Sequence, residues 1–247
     1  MNNELIVAGI GPGSYEQMTI QVENALRKCD VIVGYSKYVE LLKPHFPKKE
    51  FISTPMMSEE KRCILALEKT AEGKNVVFVC SGDAGVYGLS GLLYKLSENF
   101  PSVSIRVMPG ITAALSGAAL LGAPLINDFV LISLSDHLTP WEQITARLKA
   151  AASTDFCIVL YNPSSKKRSD YLKRACDLIS DYIPENRPCG YAKKIGREGE
   201  EFKICKFNEL KNTSVDMFTT VFIGNSSTYE KDDKLITPRG YASEVGL

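Results

Sequence analysis

Histidine is scarce in this 247-residue sequence: there are two, His45 and His137, and there is no Cys-x-x-Cys pair. A histidine-built metal centre is therefore not expected, and neither is a zinc knuckle. No serine sits in Gly-x-Ser-x-Gly, which together with the shortage of histidine argues against a nucleophile-histidine-acid triad. His137, in "SLSDHLTPW", reads as a polar loop residue rather than a base. Excess charge is missing too, with 29 basic against 29 acidic side chains. A nucleic-acid coat or a polybasic membrane binder draws its affinity from surplus positive charge, so both classes are disfavoured. No apolar run is long enough for a membrane span. The nearest, "ITAALSGAALLGAPLI" (residues 111–126), contains Gly, Ser and Thr, runs into Pro124, and reads as a buried helix. The opening "MNNELIVAGI" lacks the charged region and apolar core of a signal peptide, so a cytoplasmic protein is expected. Seven cysteines at wide spacing (Cys29, Cys63, Cys80, Cys157, Cys176, Cys189 and Cys205) fit reduced thiols packed as small apolar groups.

What is present is a β-α alternation with 45% hydrophobic residues, enough for one large domain or two modest ones. "LIVAG", "DVIVG", "NVVFVCSG" and "VSIRVM" read as strands. "TIQVENALRKC" has helical spacing through Ile20, Ala25 and Leu26. A further helix is opened by Ser58 as N-cap, carries Glu59 and Glu60 in its first turn and Ile64, Leu67 and Ala71 on its apolar face, and stops at Gly73. "LSGLLYKLSEN" is helical. This alternation predicts a mostly parallel sheet with working loops at the carboxyl ends of its strands. From about residue 128 the pattern changes. "NDFVLISLSDHLTPW" is a strand and polar loop, Trp141 opens "WEQITARLKAAA", and "DFCIVLYNPSS" precedes the basic helix "KKRSDYLKRACDLISDY". "CGYAKK", "EEFKICKF" and "FTTVFIGN" then follow as strands with less helix between them, which predicts a mixed sheet. The fold class is α/β, with domains at 1–120 and 121–247 and a cleft between them.

Four loops at strand ends carry candidate chemistry. "GIGPGS" (residues 9–14) looks like a phosphate turn, but Gly13 comes one residue early for Gly-x-Gly-x-x-Gly. Pro12 also removes an N–H, and the second strand ends in "VIVGYS" without the acid that holds a ribose. "CSGDAGVYG" (80–88) places Asp83 beside glycine backbone, either as a ligand contact or as the cap of a following helix. "MPGITAA" (108–114) and "LYNPSS" (160–165) are further strand-end turns. Lys166, Lys167, Arg168, Lys173 and Arg174, with Lys193, Lys194 and Arg197, form basic clusters that are either solvated surface or a docking rim for carboxylates.

In their order along the chain, "GIGPGS", "SGDAGVYG", "PGITAA" and "YNPSS" resemble the tetrapyrrole methylases of cobalamin biosynthesis. These are S-adenosylmethionine-dependent enzymes on a two-domain α/β fold unlike the Rossmann methyltransferases. The resemblance spans essentially the whole chain. "GYSKY", "GAPLINDFVLISLSDHLTPW" and "ITPRGY" are similar to the branch that methylates precorrin-3B or cobalt-factor III at ring carbon 17 and contracts the macrocycle. The resemblance implies a cofactor in the interdomain cleft, contacted by Gly82, Asp83, Val86, Thr112, Ala113, Tyr161, Asn162, Ala192, Gly224 and Asn225. A substrate with acetate and propionate arms gives Lys166, Lys167, Arg168, Lys193, Lys194 and Arg239 a docking role, and Gly11, Pro12 and Gly13 would line the floor beneath it. No metal site of the protein's own is implied, and homodimers are common in the family. Two departures stand out: Ser14 replaces the usual acid of the first turn, and Tyr35 occupies the place where other branches have an Asp after the second strand. Tyr35 and Asp136 are the candidate bases. The alternatives are a methylase of the same fold acting at another corrinoid carbon, on ribosomal RNA or on diphthamide, an NAD-binding oxidoreductase, and a non-catalytic corrinoid carrier. Whether the substrate carries cobalt is left open.

Overall fold

The computed structural model describes residues 3–165 and 168–240. The chain divides into two units, Met1–Ala113 and Ala114–Leu247. In the first unit the elements run β1 (Asn3–Gly9), α1 (Ile20–Lys28), β2 (Val31–Tyr35), α2 (Ser36–Leu42), β3 (Glu50–Thr54), α3 (Glu59–Ala71), β4 (Val76–Cys80), α4 (Ser90–Ser97) and β5 (Val103–Met108). The strands form one sheet in the order β3-β2-β4-β1-β5, and every pairing is parallel. Side chains alternate across the sheet, so Leu5, Val7, Val31, Val33, Val76 and Phe78 join one core cluster. Ala8, Ile32, Val77 and Val79 join the other. A sheet covered on both faces needs apolar residues at consecutive positions, and β4 is buried throughout.

Local structure departs from the sequence reading in several places. α2 and β3 were not anticipated. β3 buries only Thr54 of its five residues, as an edge strand can, and so gives little apolar signal. In α1 the buried residues are Val22, Ala25 and Leu26, while Ile20 is 76% exposed. In α3 the buried stripe is Arg62, Cys63, Ala66, Leu67 and Thr70 rather than one through Ile64 and Ala71. Ser58 does hold the N-cap position of α3, but its side chain makes no capping bond. Gly73 ends that helix at φ +87°, with Lys74 N–H donating to the Lys69 carbonyl and Gly73 N–H to that of Thr70.

The second unit contains α5 (Ala113–Leu121), β6 (Gly122–Ala123), β7 (Phe129–Ser133), α6 (Trp141–Ser153), β8 (Cys157–Tyr161), α7 (Tyr171–Ile179), β9 (Pro188–Lys193), β10 (Glu201–Lys206), α8 (Phe207–Leu210), β11 (Thr219–Ile223), β12 (Tyr229–Lys231) and β13 (Lys234–Ile236). Its main sheet has the order β10-β9-β11-β8-β7, and β7–β8 is the parallel pair in an otherwise antiparallel ladder. The mixed sheet is as expected. β12, β13 and β6 form a small sheet that the sequence reading did not anticipate. The division falls at the first residue of α5, after Ala113. A Cβ at Gly117 would lie 2.8 Å from the Phe222 ring, and Leu121 packs over Gly190, so α5 is fitted to the second sheet. α7 starts at Tyr171, later than the basic stretch at its head suggested. Lys166 and Lys167 lie outside the described residues. No helix among the described residues is long and apolar enough to cross a membrane.

Candidate functional site

At the carboxyl ends of β1, β4 and β5, three glycine turns press together backbone to backbone. A Cβ on Gly9 would stand 2.6 Å from the Gly82 carbonyl oxygen and 2.8 Å from Gly110 N. On Gly110 it would stand 2.5 Å from the Gly9 carbonyl oxygen. Gly11 and Gly82 exchange backbone hydrogen bonds of 3.1 and 2.7 Å, and Ile10 N–H donates to the Cys80 carbonyl at 2.9 Å. Gly11 adopts φ +79°, and its open side faces the Gln17 carbonyl. The Ile10 and Gly11 N–H groups of "GIGPGS" are therefore spent inside the protein, Pro12 has none, and its first glycine is needed for close approach. Gly11 and Pro12 are buried, and Gly13 is part-exposed.

Asp83 ties this knot to the next loop. Its Oδ1 accepts from Gly85 N–H (2.7 Å) and Val86 N–H (3.2 Å), and its Oδ2 accepts from Gly110 N–H (2.9 Å). No helix follows directly, because α4 begins only at Ser90. Asp83 is therefore neither a helix cap nor a free carboxylate: it shapes the turn at 82–86 and fixes it to the turn at 110. Gly85 and Tyr87 are left exposed on that turn. Tyr35, at the end of β2, packs edge-on against Tyr38 at 5.0 Å between centroids. Both line a 220 Å³ cavity with Arg62, Ser81 and Tyr87.

In the second unit, Tyr161 ends β8, and its hydroxyl accepts the N–H of Ala114 at 2.7 Å, which satisfies an amide at the start of α5. Asn162 sits at φ +52°, and its amide donates to Ser133 Oγ at 2.9 Å. Asp136 is fully engaged, with Arg168 Nε 2.7 Å from Oδ1 and the Tyr171 hydroxyl donating to Oδ2 at 2.5 Å. The Tyr171 hydrogen bond, with help from Arg168, holds the Asp136 carboxyl below the usual range. Trp141 and Arg174 stack on the same tyrosine. This network pins the loop after β7, whose tip carries exposed His137 and Leu138.

A model of the tetrapyrrole (corrin/porphyrin) methylases matches residues 4–211. The chain belongs to the tetrapyrrole methylases. It is 44% identical to the probable cobalt-factor III C(17)-methyltransferase of Salmonella typhimurium, over 96% of this chain and 99% of that protein. It is 42% identical to the cobalt-factor III methyltransferase of Priestia megaterium, of which it spans 47%. Among solved structures, that of the methyltransferase CobJ matches with a TM-score of 0.89 and 35% identity, covering 95% of this chain and 99% of that one.

Within this methylase the ten residues carried over for the cofactor separate by exposure. Asp83, Val86, Ala113, Tyr161 and Asn162 keep accessible surface, while Gly82, Thr112, Ala192, Gly224 and Asn225 are buried. Ala192 sits mid-strand in β9 between Phe202 and Thr220. Asn225 Oδ1 already accepts from Ser227 N–H, Ser227 Oγ and Thr228 Oγ1. A Cβ at Gly224 would meet Thr228 at 2.5 Å. These two hold the turn after β11. Among the basic candidates, Arg168 is committed to Asp136. Lys193 lies 3.9 Å from Glu201 and over the Tyr191 ring. Lys194 and Arg239 are exposed. The seven cysteines are free and buried. Burial pushes the thiols of Cys29, Cys80 and Cys205 up to about 11 and those of Cys63 and Cys176 to about 12. The sequence reading overlooked Arg62, whose signal is an arginine on the stripe that also carries Ala66 and Thr70.

Proposed function

We propose that this chain is an S-adenosylmethionine-dependent C-methyltransferase that methylates cobalt-factor III or precorrin-3B at ring carbon 17 and contracts the macrocycle, in cobalamin biosynthesis. The observation that carries this reading is the 44% identity, end to end, with a relative named for that reaction. The residues present suit the cofactor. Gly85 has only Asp83 Oδ1 within 4 Å of its open side, and the segment beside Gly82 exposes Ile111 as apolar surface. A rigid turn with an unfilled glycine side beside apolar surface matches a ligand that combines an adenosine with an amino-acid end.

When bound, S-adenosylmethionine supplies a methyl group on a good leaving group, so aligning the acceptor carbon accounts for much of the rate. The chain's own contribution is placement. Asp83 holds the 82–86 turn in one shape, and Val86, Ala113, Tyr161 and Asn162 are the proposed contacts, with Gly82, Thr112, Ala192, Gly224 and Asn225 supporting them from behind. Gly13, Lys193, Lys194 and Arg239 are proposed to meet the substrate, whose carboxylate arms suit cationic partners. Gly11 and Pro12 serve the turn that presents Gly13. Asp136 positions the loop after β7 and is not proposed as the base. We also propose that the enzyme is a cytoplasmic homodimer.

The test is incubation with cobalt-factor III or precorrin-3B and methyl-labelled cofactor, followed by product mass. Gain of one labelled methyl is expected. No gain with either substrate, from protein that binds S-adenosylhomocysteine in a calorimeter, overturns the assignment of the reaction.

A further inference from the structure

α3 carries an arginine where its buried stripe calls for an apolar side chain. Arg62 is 3% exposed. Its Nη1 donates to Thr54 Oγ1 at 2.5 Å and to the Pro55 carbonyl at 3.2 Å, both neutral acceptors. The Glu59 carboxylate stands 3.8 Å from Nη2, beyond hydrogen-bond distance, and accepts the N–H of Met57 at 3.2 Å instead. A guanidinium has five N–H donors, and those on Nε and Nη2 meet no acceptor at hydrogen-bond distance among the described residues. A buried cation is costly unless an anion and hydrogen bonds compensate it, and planar paired donors are the geometry that grips a carboxylate.

The same guanidinium lines the 220 Å³ cavity at the carboxyl ends of β2 and β4. Its other walls are mainly aromatic and apolar, with Tyr35, Tyr38, Val79 and Leu89, and Glu59 is the one carboxylate in its lining. The Arg62 guanidinium lies 5.9 Å from the Tyr35 ring centroid. The rim is apolar and open: Met56 is 44% exposed and Tyr87 54%. Tyr87 holds φ +53°, a backbone conformation that a non-glycine residue adopts at a cost. Pockets that enclose a whole drug-sized ligand start at roughly 300 Å³, so this one suits a short side arm rather than a macrocycle.

We propose that this cavity is a carboxylate-arm subsite. One acetate or propionate of the substrate enters it and is gripped by Arg62, while the ring from which it hangs rests on the Met56 and Tyr87 rim. This rests on the tetrapyrrole reading above. It makes Tyr35 an aromatic wall beside the guanidinium rather than a base, and it supplies a fixed anchor on the first unit that surface lysines do not.

The experiment compares full-length wild type with Arg62→Lys, Arg62→Gln and Met56→Glu. Uroporphyrin III binding, methyl transfer to cobalt-factor III and S-adenosylhomocysteine affinity are measured for each. Losing a charge-assisted bidentate pair in Arg62→Gln is expected to weaken uroporphyrin binding and raise KM by about tenfold to a hundredfold. kcat is expected to change by less than about threefold, which separates lost ground-state binding from lost chemistry. Arg62→Lys falls between, because it keeps the charge and loses the fork. Met56→Glu, an exposed change that leaves the core alone, puts a rival carboxylate at the mouth. It should raise KM about tenfold in a salt-sensitive way. S-adenosylhomocysteine affinity stays constant throughout. Folded Arg62→Gln with wild-type binding and KM overturns the subsite, and if Arg62→Gln does not fold, an unchanged Met56→Glu does so. Wild type that binds uroporphyrin but methylates nothing removes the reaction assignment and leaves the subsite standing; wild type that binds no tetrapyrrole removes both.

Discussion

The tightest point in the first unit is Gly110, and replacing it with alanine tests the glycine knot directly. Its new Cβ would lie 2.5 Å from the Gly9 carbonyl oxygen and 2.6 Å from the Gly9 carbonyl carbon, with Gly82 closer still. All three neighbours are backbone at strand ends, so no side chain can swing aside. Reaching an ordinary contact of about 3 Å requires the turns to part by about 0.5 Å or more, against a close-packed interior. Overpacking of this kind costs about 1–3 kcal/mol, and backbone neighbours place Gly110→Ala at the upper end. Gly73→Ala is the control: φ is +87° but nothing lies within 4 Å, so the cost is the left-handed backbone alone, about 1 kcal/mol. The assay is urea unfolding followed by far-UV circular dichroism, with m checked for constancy. Trp141, the single tryptophan, reports separately on the second unit by fluorescence. A Gly110→Ala midpoint no lower than that of Gly73→Ala would refute the close-contact account of these turns.

Asp136→Asn should cost about 1–2 kcal/mol of stability through weakened charge-assisted bonds to Arg168 and Tyr171, yet leave kcat within an order of magnitude. A thousandfold loss of kcat with cofactor binding intact would restore Asp136 as a base. Because its folded pKa is lowered, Asp136 contributes stability above the unfolded carboxyl pKa, and that contribution is lost as pH falls through the folded value. The Asn variant should therefore lose less stability than wild type below about pH 4, read from urea midpoints. The buried thiols act at the other end of the scale. The unfolded chain ionises near pH 9 while Cys29 and Cys80 stay protonated to about 11, so stability should fall with rising pH across that window. A flat midpoint from pH 8 to 10 would contradict this. Tyr161→Phe strips the acceptor from Ala114 N–H and should cost about 1–2 kcal/mol by thermal melt, with S-adenosylhomocysteine affinity reduced as well. Charge reversal at Lys194 and Arg239 should raise substrate KM and flatten its salt dependence; no change in either would remove these residues from the docking rim.

The sequence signals that failed did so for identifiable reasons. In α3 the apolar residues Ile64, Leu67 and Ala71 suggest one inward face, yet Arg62 and Thr70 are inward as well, and the buried stripe is rotated toward them. β3 was missed because an edge strand that buries Thr54 alone carries no apolar run. Asp83 was legible as important but not in its role, since its partner Gly110 lies 27 positions away in the chain. Asp136 looked free in "SLSD" because Tyr171, which occupies it, follows 35 positions later.

What the sequence by itself determined was the class and the family. Apolar strands at consecutive positions require a sheet covered on both faces, β-α alternation requires parallel order, and the strings at the strand ends identified the methylases. Tertiary structure decided what those strings are for. In "GIGPGS" Gly9 is required by Gly82 and Gly110 pressing on the turn from other strands, and the Ile10 and Gly11 N–H groups are bonded inside the knot, so two of the amides that a phosphate cradle would use are taken. Hydrophobic period is a property of neighbours in the chain and survives in the sequence. Contact between distant turns, and the saturation of a carboxylate or the burial of a guanidinium, depend on which strand ends the fold brings together.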